Sequence, residues 1–308
     1  MPSMRPASSN PPDLDGAALG NGHAAAVALP LPALRRSAAL RKYWNIFRVS
    51  LTERLAYRAD FFLSTLLRFL PMLTTILLWQ AIYTAAGRGV SLKTFTLDGM
   101  ISYLLLVHIS RMFSSMPGLA HGIARSIRDG DLKKYLLQPI EMIPYLLSYR
   151  VAHKAAYIMM SALPYALLFF LCRDYFQRFP AGPEVWAAYV AALLLGFLVG
   201  FFFEASLGMI GFWFLEIGSF LYVINTLSFF VSGHMFPLDL LPGPMAHVLK
   251  FLPFKYLAYF PAMIFLNKVP PDELLGELLT EAAWAAGLIV LACWLYRVGL
   301  RRYSAYGG

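Results

Sequence analysis

Three ionisable side chains stand deep inside apolar runs, away from any charged neighbour in sequence: His108, Arg111 and Glu204. Facing hydrocarbon, such groups cost several kcal/mol, so they are expected to face the protein interior or a water path. There Glu204 is predicted to pair with a cation from a neighbouring helix, with Arg111 the first candidate, and all three to belong to the intramembrane polar set or translocation path. Arg68 also lies in an apolar run, but it stands near enough to one end to snorkel to the headgroups. Glu204 is the one clear acid within a predicted span.

Covalent chemistry has no visible home. Lys93-Thr94 resembles the end of a nucleotide-binding loop, yet Leu92 stands where that loop needs glycine. There is no His-Glu-x-x-His, Gly-x-Ser-x-Gly or Cys-x-x-Cys. His108, His121, His153, His234 and His247 share no metal-ligand spacing, and interfacial or pore-lining roles suit them better. The expectation is a chain that is not an enzyme, carries no cofactor of its own and cannot hydrolyse ATP alone.

The elements that must position these residues follow from composition. Hydrophobic residues make up 59% of the 308-residue chain and charged ones 14%, against roughly 45–50% and about 25% in soluble domains. A bilayer accepts that apolar surface; water does not. The net charge of +9 does not point to nucleic acid, because Lys and Arg cluster beside the apolar runs and no nucleic-acid motif is present. They read as topology signals and as attraction to anionic membrane lipid. Cys172 and Cys293 sit at or near run ends, outside any redox pattern. Residues 1–40 form a predicted disordered cytoplasmic tail, rich in Pro, Ala, Gly, Ser and Asn and without the layout of a secretory signal.

Residues 41–308 read as one all-α, polytopic domain. A basic amphipathic stretch, residues 35–60, suits the membrane interface. Its alternative is an extension of the first span. Six spans follow, near residues 61–86, 99–121, 155–172, 185–214, 217–236 and 278–296. Six spans put Arg41, Lys42, Arg48, Arg54, Arg125, Arg128, Lys133, Lys134, Arg150, Lys154, Arg297, Arg301 and Arg302 on the cytoplasmic side with both termini. Few cations, Lys255 and Lys268 among them, are left outside. An odd number of spans would move the C-terminal arginines outward.

Three further patterns concern partners and packing. Between spans two and three, Arg128-Asp129-Gly130-Asp131 reads as a turn, with Asp131 capping a short helix that stops before Pro139. With Arg125, Lys133 and Lys134, it offers mixed charge for docking a soluble protein. An ordinary loop is the plainer alternative. The stretch around Pro237, Pro242, Pro253 and Phe254 is too apolar for a free loop and too proline-broken for a span, which fits outer re-entrant helices. Gly196-x-x-x-Gly200, with Gly208 and Gly211 beyond, allows close helix approach, within the subunit or at a dimer seam.

Together these residues resemble the permease subunits of type-2 ABC exporters, most closely the bacterial branch described as ABC-2 family transporter proteins. The likeness spans residues 41–303. It rests on Arg-x-Gly-x-Leu-x-x-Tyr-Leu-Leu-x-Pro-Ile from Arg128 to Ile140, on Phe212-Trp213, on Ser232-Gly233 followed by Pro237-Leu238 and Leu241-Pro242, and on Leu252-Pro253-Phe254 followed by Pro261. The resemblance implies a bacterial inner-membrane machine of two six-span subunits, identical or different, above two ABC ATPase subunits that bind ATP and Mg. It makes the helix after span two a coupling helix, with the amphipathic helix beside it. Substrates of such exporters range from drugs and peptides to lipids and polysaccharides, so the exported cargo stays open. The alternatives are an ion-coupled secondary transporter, which would show more intramembrane acids and an inverted repeat, and a membrane-embedded enzyme.

Overall fold

The computed structural model describes residues 31–303 apart from Tyr57, residues 88–94, residues 177–179 and Ala181. Of the expected tail, residues 1–40, those through 30 lie outside the described residues, while residues 31–40 form the start of a helix; the Lys93-Thr94 motif and the side chain of Arg68 also lie outside. The chain divides into two units, Met1–Arg41 and Lys42–Gly308. The described part of the first is the start of α1 (Leu31–Ala56).

Every regular element is helical among the described residues. The second unit continues through α2 (Arg58–Ala86), α3 (Leu97–Ser114), α4 (Leu119–Arg128), α5 (Lys133–Leu136), α6 (Met142–Leu171) and α7 (Pro183–Met209). It ends with α8 (Gly218–Val231), α9 (Gly243–Phe251), α10 (Tyr259–Phe265) and α11 (Pro271–Arg302). Among the described residues, four helical segments are long and apolar enough to cross a membrane: Phe69–Ala86, Met142–Leu171, Pro183–Phe212 and Pro271–Arg302.

Two of the six expected spans look different in the structure. The second is two helices, because α3 ends at Ser114 and the chain restarts as α4 only after Gly118. The fifth is α8, which has 14 residues. At 1.5 Å per residue it reaches about 21 Å, short of the roughly 30 Å of a hydrocarbon core.

At the centre stands α7, apolar around most of its circumference apart from Glu204 and Ser206, as suits a helix with helices on several sides. It packs against α11, α4, α3 and α10. Its glycines decide how close those neighbours come. A Cβ on Gly196 would lie 2.8 Å from the Tyr256 carbonyl oxygen, one on Gly208 2.8 Å from that of Ala120, and one on Gly200 2.0 Å from that of Ser114. The glycine stripe therefore serves packing inside the subunit.

The proline-broken stretch after α8 folds into short pieces: a 3₁₀ turn at Leu238–Leu240, α9, a 3₁₀ segment at Pro253–Leu257, and α10. Prolines interrupt each run, since they cannot donate to the helix ladder. The pieces fold back on the bundle. The Tyr103 hydroxyl donates to the Gly233 carbonyl at 2.5 Å, Trp79 Nε1 to that of Met235 at 3.1 Å, and Ser114 Oγ to that of Leu257 at 2.6 Å. Gly233 has φ +80, and a Cβ there would strike Tyr103 and Tyr259, so glycine is required on both counts.

Candidate functional site

The site grows from the break between α3 and α4. Pro117 disfavours helical backbone at Met116, and Ser115 turns extended. The end of α3 thus has carbonyls without helical partners. Lys154 Nζ of α6, nine-tenths buried, donates to Met112 and Ser115 carbonyl oxygens at 2.5 and 2.6 Å. Arg150 Nη1 donates to the Pro117 carbonyl at 3.1 Å. Cations at a helix C-terminus also oppose its dipole. The sequence places Lys154 among the cytoplasmic flanking charges; the structure buries its ammonium because these carbonyls need donors.

Around the break lies a cavity of about 460 Å³. His108 and Arg111 reach it from α3, Glu204 and Phe203 from α7, Asn225 from α8, and Tyr157 and Tyr165 from α6. The three intramembrane polar residues singled out in the sequence therefore share one cavity. The direct ion pair expected between Arg111 and Glu204 is not formed within 4.0 Å. Their attraction acts through space. The Arg111 guanidinium and the Asn225 amide have no hydrogen-bond partner among the described residues. The His108 and His234 rings stand 6.0 Å apart beside them.

The same chain then runs to a polar elbow. Arg125 and Arg128 lie in the last turn of α4. Arg128 bonds Asp129 at 3.0 Å and, across to the α7–α8 turn, Glu216 at 3.1 Å. Its pKa is raised, chiefly by the hydrogen bond to Asp129. Gly130 turns the chain at φ +79. The Asp131 cap expected here is not made: Leu132 stands at the N-cap, and α5 is one turn long. Buried Leu132 anchors that turn, so backbone packing does what a side-chain cap would have done. Lys133 and Lys134 are exposed, as are Leu136 at 51% and Leu137 at 85%. Tyr135 packs on Tyr145 at 5.4 Å, and burial pushes its phenol up to about 12. Lys42 Nζ of α1 donates to the Pro139 carbonyl at 2.5 Å, so the basic helix and the elbow touch.

The proline-rich stretch after α8 connects to the cavity as well. Pro237 and Pro253 are buried and Pro242 is exposed. Phe254 packs edge-on against Phe203 of the cavity wall, with ring centroids 5.2 Å apart.

A family model described as ABC-2 family transporter protein matches residues 69–307. The chain belongs to the ABC-2 transporter family. No curated protein matches it. The family match begins inside α2 and takes in the cavity, the elbow and the folded-back proline-rich stretch. This ABC-2 family member is accordingly a multi-pass membrane protein of a transporter assembly, as the resemblance implied.

Sequence reasoning missed one cluster. Lys255, counted as an outer topology charge, is buried and pairs with Glu277 of α11 at 2.7 Å. The Tyr256 hydroxyl donates to the same carboxylate at 2.9 Å. One turn on, Glu281 is fully buried, and neither oxygen has a hydrogen-bond partner among the described residues. Glu204 is therefore not the lone intramembrane acid. The i, i+4 spacing of Glu277 and Glu281, in line with buried Ala285 and Leu288, was the available signal.

Proposed function

We propose that this chain is the permease subunit of an ATP-driven exporter, forming the path for its cargo and coupling to a separate ATPase that binds ATP and Mg. In this reading, six segments cross a bacterial inner membrane with both termini cytoplasmic, α3–α4 and α8 completing the four long spans. A second permease, the same or different, closes the path. The chain itself does no covalent chemistry.

The observation that carries the reading is a physical continuity. One stretch, α3 through α5, lines the polar cavity at His108 and Arg111 and ends in an exposed elbow of Lys133, Lys134, Leu136 and Leu137. Exposed leucines between cations suit a protein partner. A push on the elbow reaches the cavity through α4, which packs directly on α7. The test is gentle purification of the chain expressed with its neighbouring genes. An ATPase should co-purify, and its hydrolysis should drive transport in vesicles. No associated ATPase, and none encoded nearby, would overturn the reading.

Buried Glu281 favours a second reading, an ion-coupled carrier. Transport that follows a proton gradient without ATP would support that alternative.

A further inference from the structure

The cavity beside the helix break also states what it is built to hold. The Arg111 guanidinium and the Asn225 amide face it without hydrogen-bond partners among the described residues. An unpaired guanidinium at membrane depth costs several kcal/mol unless something compensates it. The acid within reach, Glu204, lines the same cavity and attracts it through space without a direct ion pair. Two more cations stand at the rim, where Lys154 and Arg150 donate to backbone carbonyls of cavity residues Met112, Ser115 and Pro117. Among the described residues, permanent positive charge at this site therefore exceeds negative. The rest of the wall mixes serines and His108 with an apolar and aromatic side formed by Phe203, Tyr157, Tyr165 and Leu257. About 460 Å³ falls in the usual range for small-molecule sites.

We propose that this cavity binds an amphipathic organic anion, with its acidic group on the Arg111 guanidinium and the Asn225 amide and its apolar body along Phe203, Tyr157 and Tyr165. The proposal names the cargo class of the permease reading and rests on that reading for its meaning as a transport site. Glu204 plays a defined part in it. A carboxylate near the bound anion repels it, so Glu204 weakens binding and favours release. The arrangement holds an anion without trapping it.

The test uses the full-length chain in phosphatidylcholine nanodiscs with radiolabelled dodecyl phosphate as probe. Wild type should bind it saturably, and dodecyltrimethylammonium should not compete. Arg111→Gln should weaken binding by at least about tenfold, the usual effect of losing a charge-assisted hydrogen bond. Glu204→Gln should tighten it several-fold. That gain is one a merely structural role for Glu204 would not produce, and it decides the matter if Arg111→Gln fails to fold. Competition by phosphatidylglycerol doped into the discs identifies a membrane lipid as the source of the anion; no competition identifies a free amphiphile. Absence of saturable binding, wild-type binding by folded Arg111→Gln, weaker binding by Glu204→Gln, or equal competition by the cation would overturn the proposal. Co-purification of an ATPase is scored separately. Arg111-dependent binding on a chain that recruits no ATPase upholds the anion site and overturns only the exporter reading. An ATPase-coupled chain without such binding overturns the site alone.

Discussion

At Gly200 one hydrogen is all the space between α7 and the end of α3. A methyl there would sit 2.0 Å from the Ser114 carbonyl oxygen, and backbone cannot swing aside as a flexible side chain can. Overpacking costs about 1–3 kcal/mol even where neighbours relax. Gly200→Ala is therefore expected to lower the membrane-inserted yield and the unfolding temperature in detergent, while Gly243→Ala, with open space around it, leaves both unchanged. A second residue-scale prediction concerns α11. Lys255 is nearly inaccessible and bonds both oxygens of Glu277. Lys255→Met leaves that carboxylate without its cation; because Glu277 is 33% exposed and keeps the Tyr256 hydroxyl, the loss is expected to fall below the about 3–5 kcal/mol of a fully buried pair broken from one side. Glu281→Gln, which removes a buried carboxyl without hydrogen-bond partners among the described residues, is expected to be neutral or mildly stabilising. Thermal unfolding of both variants in the same detergent checks the order.

The elbow is an element, and its prediction belongs to that scale. Its internal bonds, Arg128 to Asp129 and to Glu216, lie on exposed side chains, where ion pairs contribute little. Its outward face is Leu137 with Lys133 and Lys134. Leu137→Asp combined with Lys134→Glu is expected to release the ATPase or uncouple hydrolysis from transport, with the unfolding temperature of the membrane domain unchanged. The reason is that none of these side chains is buried in the bundle. Arg128→Ala with Asp129→Ala should have a smaller effect, since part of that charge is spent on the intramolecular contact with Glu216. ATPase retention on an affinity column and transport in vesicles measure the two. Normal coupling in the first double variant would place the docking surface elsewhere.

For the whole molecule, the charge pattern predicts that tags at the N- and C-termini are both protected in sealed right-side-out vesicles and accessible in inverted ones. A C-terminus labelled from outside would remove the six-span arrangement. Class, helical content and the four long spans were legible in the sequence, because a bilayer forces long uninterrupted apolar helices and that demand is written in composition. His108, Arg111 and Glu204 were legible as a set, because charge within apolar runs is conspicuous whatever the fold. The split of the second expected span was less so: Pro117 and Gly118 stood in view, but whether they kink a helix or end it depends on donors such as Lys154 and Arg150 to hold the freed carbonyls. The Lys255–Glu277 pair and buried Glu281 were hidden because each stands close to a span end, where a charge ordinarily meets water. What sequence alone determined was the medium and the residues too costly to leave facing it. What only the tertiary structure decided was which of those residues meet, because partners far apart in sequence are chosen by helix packing, here set by glycines at which a Cβ would collide with a neighbouring backbone carbonyl.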